Sequence, residues 1–257
     1  MRVIETSRRV QFEVAKISLP GNRQENQDRV DVVSNRDAAL IVAVDGMGGH
    51  AEGAKASELT VSILQQCFAS AGQHVLDPQG FLTLALGQAH ARVVALGDGI
   101  ALEHRPRATC AVCLVQDGNA YCAHVGDSRV YQIRAGAIVS RSRDHSHVEL
   151  LLREGLIQEH EMKNHPMRNF VECCLGGDQP IPDMSIAGRK RLRPGDVLLV
   201  CTDGLWSGLD DASVARLSDD SATLESKLRE LAEAAVADNA PHSDNTSAVA
   251  LRWKGND

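Results

Sequence analysis

In Leu40-Ile41-Val42-Ala43-Val44-Asp45-Gly46-Met47-Gly48-Gly49-His50 an apolar run meets one acid and then a dense glycine turn. A short uninterrupted run rich in Val, Ile and Ala, closed by Asp or Gly, reads as a buried β-strand. An acid at the end of such a strand projects from a rigid element, and the glycine beside it lets the backbone approach a bound ion. Gly46, Gly48 and Gly49 imply close backbone packing or unusual dihedrals, which a bland turn does not require.

The same arrangement recurs outward from this segment. Residues 39–44, 109–115, 120–125, 129–133, 197–202 and 246–252 are the predicted strands. Asp203-Gly204 follows Val197-Leu198-Leu199-Val200-Cys201-Thr202, Asp127 follows the 120–125 run, and Asp244 precedes the 246–252 run. Taken singly, an Asp-Gly pair is more often only a turn. Four carboxylates at strand ends together make a cluster, and hard oxygen ligands of this kind suit Mg²⁺ or Mn²⁺. No Cys/His set has zinc spacing to compete: Cys110 and Cys113 lie in a strand, where residues three apart face opposite ways. His145 and His147 read as hydrogen-bonding groups at a helix start.

At 257 residues, 43% hydrophobic and 24% charged, the chain can bury a substantial core, and one domain over 1–257 with an insertion is the economical reading. Aromatic residues at 3% leave that core to Val, Leu, Ile and Ala. A formal charge of −7 with no basic run argues against nucleic acid or a membrane surface as partner. No apolar stretch is long enough for a secretory h-region or a bilayer span, and the seven scattered cysteines read as reduced, buried thiols; a cytoplasmic protein is expected.

Apolar stripes over 59–68 and 81–96 predict two helices, and a third runs from a Ser221 cap through Leu224, Leu228, Leu231 and Ala235. Ala135-Gly136 between two β-prone stretches predicts a hairpin, hence antiparallel pairing. Strand blocks interrupted by helix pairs give an α+β sandwich. From about 144 to 182 the character changes: Ser146 to Glu149 fits a capping box, and turn-rich residues close the segment. A helical insertion followed by a flap-like loop is expected there.

Six strings now carry a resemblance: Arg23-Gln24-Glu25-Asn26-Gln27-Asp28, Asp45-Gly46-Met47-Gly48-Gly49-His50, Gly126-Asp127-Ser128-Arg129, Asp144-His145-Ser146, Thr202-Asp203-Gly204-Leu205-Trp206 and Asp244-Asn245-Thr246-Ser247. In order and spacing, over nearly the whole chain, the sequence resembles the metal-dependent serine/threonine protein phosphatases of type 2C, in their bacterial branch. The resemblance implies a four-layer α-β-β-α sandwich with two central antiparallel sheets and a site for two Mn²⁺ or Mg²⁺ ions. On the family pattern Asp45 bridges both ions, the Gly46 carbonyl binds one, and Asp203 and Asp244 bind the other. Asp28 orients metal-bound water, and Asp127 with Asp203 matches a third, weaker site of some relatives. Arg23 matches the phosphate-binding arginine, whose guanidinium fork suits two phosphoryl oxygens.

The same resemblance implies in-line attack of a metal-activated water on a phosphorylated Ser/Thr protein, the substrate of a cognate kinase, without a covalent enzyme intermediate. A monomer is expected. Two departures from the family pattern matter. Met47 stands where the better-described branch has a histidine, so His50, three residues on, becomes the candidate general acid. Capping the next helix or binding a turn carbonyl is an equal alternative for His50, and a metal-bound water is a further proton donor. Gln27 stands where many relatives have Glu.

Overall fold

The structure, a computed structural model, describes residues 10–47 and 51–256. It begins with β1 (Val10–Leu19), β2 (Arg29–Ser34), β3 (Ala38–Val44), β4 (Gly46–Met47), α1 (Ala51–Ser70) and α2 (Pro78–Leu96). Next come β5 (Arg107–Ala108), β6 (Cys110–Gln116), β7 (Asn119–Val125), β8 (Arg129–Arg134), β9 (Ala137–Arg141), α3 (His147–Arg153) and α4 (Glu159–Met162). After β10 (Leu175–Gly176), β11 (Ser185–Ile186), β12 (Lys190–Arg191) and β13 (Val197–Cys201) follow α5 (Asp203–Trp206), α6 (Asp211–Ala215), α7 (Leu224–Asp238) and β14 (Thr246–Asn256).

One large antiparallel sheet has the order β1-β14-β13-β8-β9 and the second β11-β7-β6-β3-β2, with β12 also on β7, while β10-β5-β4 form a small third sheet. Strand β3 shows how the layers stack. Its Leu40, Val42 and Val44 pack with Leu64 and Phe68 of α1 and Leu82 and Leu86 of α2. Its Ala39, Ile41 and Ala43 meet Leu198, Val200, Val249 and Leu251 of the opposite sheet. On the far side of that sheet Leu199, Cys201, Ala248 and Ala250 are covered by Leu228, Leu231 and Ala235 of α7. Helix, sheet, sheet, helix is the expected α+β four-layer sandwich, and a strand inside it is apolar on both faces because each face is covered. Burying one Leu, Ile or Val contributes roughly 1.5–3 kcal/mol, so a core of aliphatic side chains suffices with few aromatics.

The hairpin β8–β9 turns at Ala135-Gly136, with φ of +47° and +76°. Two consecutive positive φ values are what a type I′ turn needs to match the strand twist. Cys110 faces the helices and Cys113 the sheet interface, opposite ways as their spacing requires. Between 144 and 182 the structure places α3, α4 and β10, and the Ser146 hydroxyl caps α3 by accepting from the Glu149 N–H at 3.4 Å.

Some expectations need correcting. Ser221 does not cap α7; Thr223 does, its hydroxyl accepting from the Ser226 N–H at 3.2 Å, while Glu13 of β1 accepts from the Leu224 N–H at 3.0 Å. The Ser221 hydroxyl donates to Asp219 instead. On α1 the buried line runs through Ala56, Thr60, Leu64 and Phe68, leaving Leu59, Ile63 and Cys67 at its edge. No helix among the described residues is long and apolar enough to cross a membrane.

Candidate metal centre

Five strand ends or starts deliver the acids to one place. Where β3 ends, the Asp45 carbonyl accepts from the Thr109 N–H at 2.9 Å, which ties the turn to the start of β6. Gly46 then pairs with Ala108. A Cβ on Gly46 would stand 2.0 Å from the Gly53 carbonyl oxygen of α1, so only glycine lets that helix approach. The Gly46 carbonyl itself faces Gly53. Asp203 opens α5 where β13 ends, and Gly204 after it presses on the Asn245 carbonyl. Asp244 precedes β14, Asp127 follows β7, and Asp28 precedes β2.

Asp28 and Asp127 are 2% and 6% exposed, whereas Asp45, Asp203 and Asp244 keep partial access to solvent. Burial, then the charges of Asp28, Asp203, Asp127 and Asp244, pushes the Asp45 carboxyl well up. Burial followed by Asp127, Asp244 and Asp28 does the same to Asp203. Asp28 is pushed up to about 6, chiefly by burial, and Asp127 to about 7 by burial and then Asp144. Like charges gathered this closely destabilise one another and call for a cation.

The Thr202 hydroxyl donates to Asp28 Oδ2 at 2.8 Å, while Asp28 Oδ1 is enclosed without a hydrogen-bond partner. Arg23 forks onto Asp244, Nε to Oδ1 at 2.9 Å and Nη2 to Oδ2 at 2.7 Å. Among the described residues no three acids close tightly enough to enclose an ion. The donor set nonetheless fits a hard divalent cation, because it is all oxygen, strongly acidic, open on one side and carries an orphaned carboxylate oxygen. His50 lies outside the described residues, and Met47 is partly buried beside the cluster.

The protein phosphatase 2C family model matches residues 21–243. This chain belongs to that family. Protein phosphatase PhpP of Streptococcus pneumoniae serotype 2 is 32% identical over 246 residues, covering 89% of this chain and 92% of that protein. The crystal structure of serine/threonine phosphatase Stp1 from Staphylococcus aureus matches with a TM-score of 0.85 at 26% identity, over 99% of this chain and 100% of that one. The S. agalactiae serine/threonine phosphatase matches with a TM-score of 0.82 at 27% identity, over 95% and 100%. The chain is thus a metal-dependent protein phosphatase of the bacterial 2C type.

In this phosphatase the motifs interlock through Arg129, Trp206 and Asn245, whose roles the local sequence does not reveal. Arg129 grips Asp144 with Nε at 2.8 Å and Nη2 at 2.6 Å, and its guanidinium carbon stacks 3.5 Å from the Trp206 ring centroid. Trp206 Nε1 in turn donates to the Asp127 carbonyl at 2.9 Å. Asn245 pins the β1–β2 loop at three points: its Oδ1 accepts from the Gln27 N–H at 2.8 Å, and its Nδ2 donates to the Pro20 and Glu25 carbonyls. His145 Nδ1 accepts from the Gly126 N–H at 3.3 Å, and His147 Nδ1 pairs with Glu172 at 2.7 Å, so both histidines serve hydrogen bonding. The signal for these roles was present as motif membership, but their partners lie far away along the chain.

Proposed function

We propose that this phosphatase removes phosphate from serine and threonine of a partner protein, with Asp45, Asp203 and Asp244 holding two divalent ions. The convergence of five carboxylates, one of them Asp28 with its Oδ1 enclosed and unpartnered, carries this reading. Asp45, ringed by the other four acids, would serve as the shared ligand, with the Gly46 carbonyl adding to it. Asp203 and Asp244 would hold the second ion, and Asp127 with Asp203 would offer a third, weaker position. Bound there, Mn²⁺ or Mg²⁺ would acidify a water for in-line attack on phosphorus and neutralise the phosphoryl oxygens.

The chain's own residues do the rest. Thr202 fixes Asp28 Oδ2, which leaves Oδ1 free to accept a hydrogen bond from the attacking water and orient it. The Arg23 fork, held by two carboxylate oxygens of Asp244, has the spacing that two phosphoryl oxygens require. An exposed ion pair of this kind is worth roughly 0–1 kcal/mol, so exchanging Asp244 for substrate phosphate costs little. Met47 has no proton to give, and His50 is the candidate donor to the leaving serine or threonine oxygen.

The segment 144–182 is a substrate-selecting insertion on one catalytic domain spanning 1–257. The enzyme acts as a monomer on targets of a cognate kinase, in the cytoplasm, where seven free cysteines suit the reducing conditions. With Mn²⁺ it should release phosphate from phosphoserine and phosphothreonine peptides and far more slowly from a phosphotyrosine peptide of the same sequence. Equal rates on all three, or full activity in Asp203→Asn, would overturn this reading.

A further inference from the structure

Cys113 and Cys122 stand opposite one another in the β6–β7 ladder with their sulfurs 2.8 Å apart. The Cys122 carbonyl turns away from β6, accepting from the Ala187 N–H at 2.8 Å. A residue in an antiparallel ladder points its N–H and C=O the same way, so this is a non-hydrogen-bonded pair, whose Cα atoms lie about 4.5 Å apart. That separation falls within the roughly 4.4–6.8 Å that disulfide geometry accepts.

Cys113 is 0% exposed and Cys122 4%, but a reagent needs to reach only Cys122. Cys122 lines a cleft of about 270 Å³ with His124, Arg141, Arg143 and Lys190. Its hydrogen bond with Cys113 lowers the Cys122 thiol; burial opposes this and the Lys190 ammonium adds to it. The other six cysteines are all raised, each chiefly by burial. Because the thiolate is the nucleophile, Cys122 is the one poised to react first.

We propose that Cys113 and Cys122 form a reversible disulfide, a redox modification site separate from the acid cluster. Hydrogen peroxide is the class of oxidant considered. The Cys122 thiolate attacks one peroxide oxygen, the O–O bond breaks, and the departing oxygen takes up a proton and leaves as water, with Cys122 now a sulfenic acid. The Cys113 sulfur then attacks the Cys122 sulfur, the S–O bond breaks, and the leaving hydroxide takes the Cys113 proton as a second water. Two thiols lose two electrons and the peroxide gains them. The new bond staples two strands whose far ends lead to Thr109 and Gly126, beside Asp45 and Asp127.

The test treats the full-length wild-type protein with hydrogen peroxide, alkylates it under denaturing conditions, and reads intact mass, free thiols and peptide map. The expected product is lighter by two hydrogen atoms before alkylation, takes up five alkyl groups in place of seven, and yields a peptide linking Cys113 to Cys122. Dithiothreitol should reverse all three changes, and Cys113→Ser should stop at oxygen addition on Cys122. A link between other cysteines, irreversible oxygen addition without cross-linking, or a wild-type protein inert to peroxide overturns the proposal. Mapping the wild-type chain settles the outcome even if a variant misfolds.

Discussion

Replacing Asp28 by asparagine removes one charge from the acid cluster while keeping the shape of the side chain. Asp28 is 2% exposed, one oxygen is held by Thr202, and the other has no partner. Its pKa is displaced from 3.8 to about 6. A carboxyl raised in the folded state binds its proton more tightly there than in the unfolded chain. Its stabilising contribution is therefore complete below the unfolded value and is lost as pH rises through about 6. Two pKa units at ~1.4 kcal/mol each put the loss at ~3 kcal/mol by about pH 7.5. Asparagine keeps an acceptor for Thr202 and carries no charge to bury.

Metal-stripped Asp28→Asn should accordingly be more stable than wild type by roughly 1–3 kcal/mol at about pH 7.5. At ~2–4 °C per kcal/mol for a chain of this size, that is a Tm gain of about 2–12 °C. The gain should fall by about half by pH ~5, where the wild-type carboxyl is protonated when folded. Thermal melts in chelator at the two pH values provide the assay. A Tm at or below wild type at the higher pH, or a gain that ignores pH, refutes the electrostatic reasoning.

Two other substitutions separate binding from stability. Arg23→Ala should lower kcat/KM about a hundredfold through lost phosphate contacts while shifting Tm by no more than a few degrees, because the Arg23–Asp244 pair is exposed; unchanged kinetics would count against a role in phosphate binding. Arg129→Lys should destabilise the fold by roughly 2–4 kcal/mol, since an ammonium cannot reproduce the buried fork on Asp144 or the stacking on Trp206. A melt within a degree of wild type would show that this interlock contributes little.

What the sequence disclosed follows from the range of the forces involved. Buried strands such as Leu40–Val44 are local apolar runs, and the acids that end them are visible beside them. β1 and β2 lack a clear apolar run because their burial is only partial, so Lys16 and Asp31 interrupt the apolar pattern and pair with each other from one sheet to the other. The start of α7 was misplaced by two residues because Glu13, more than two hundred positions away, holds the Leu224 N–H. The fork of Arg23 on Asp244 and the Arg129–Asp144–Trp206 stack are likewise long-range, and no local pattern announces them. Local chemistry thus revealed which residues gather, and only the folded chain shows which of them touch.

The central claim is that the acid cluster holds the ions on which hydrolysis depends. Its most direct test is to titrate Mn²⁺ into chelator-stripped protein while following phosphate release from a phosphothreonine peptide, with folded Asp45→Asn in parallel. The account predicts no release before ion is added, a saturable rise in wild type, and a flat response in the variant. Release from the stripped protein, or an Asp45→Asn curve that follows wild type, would contradict it.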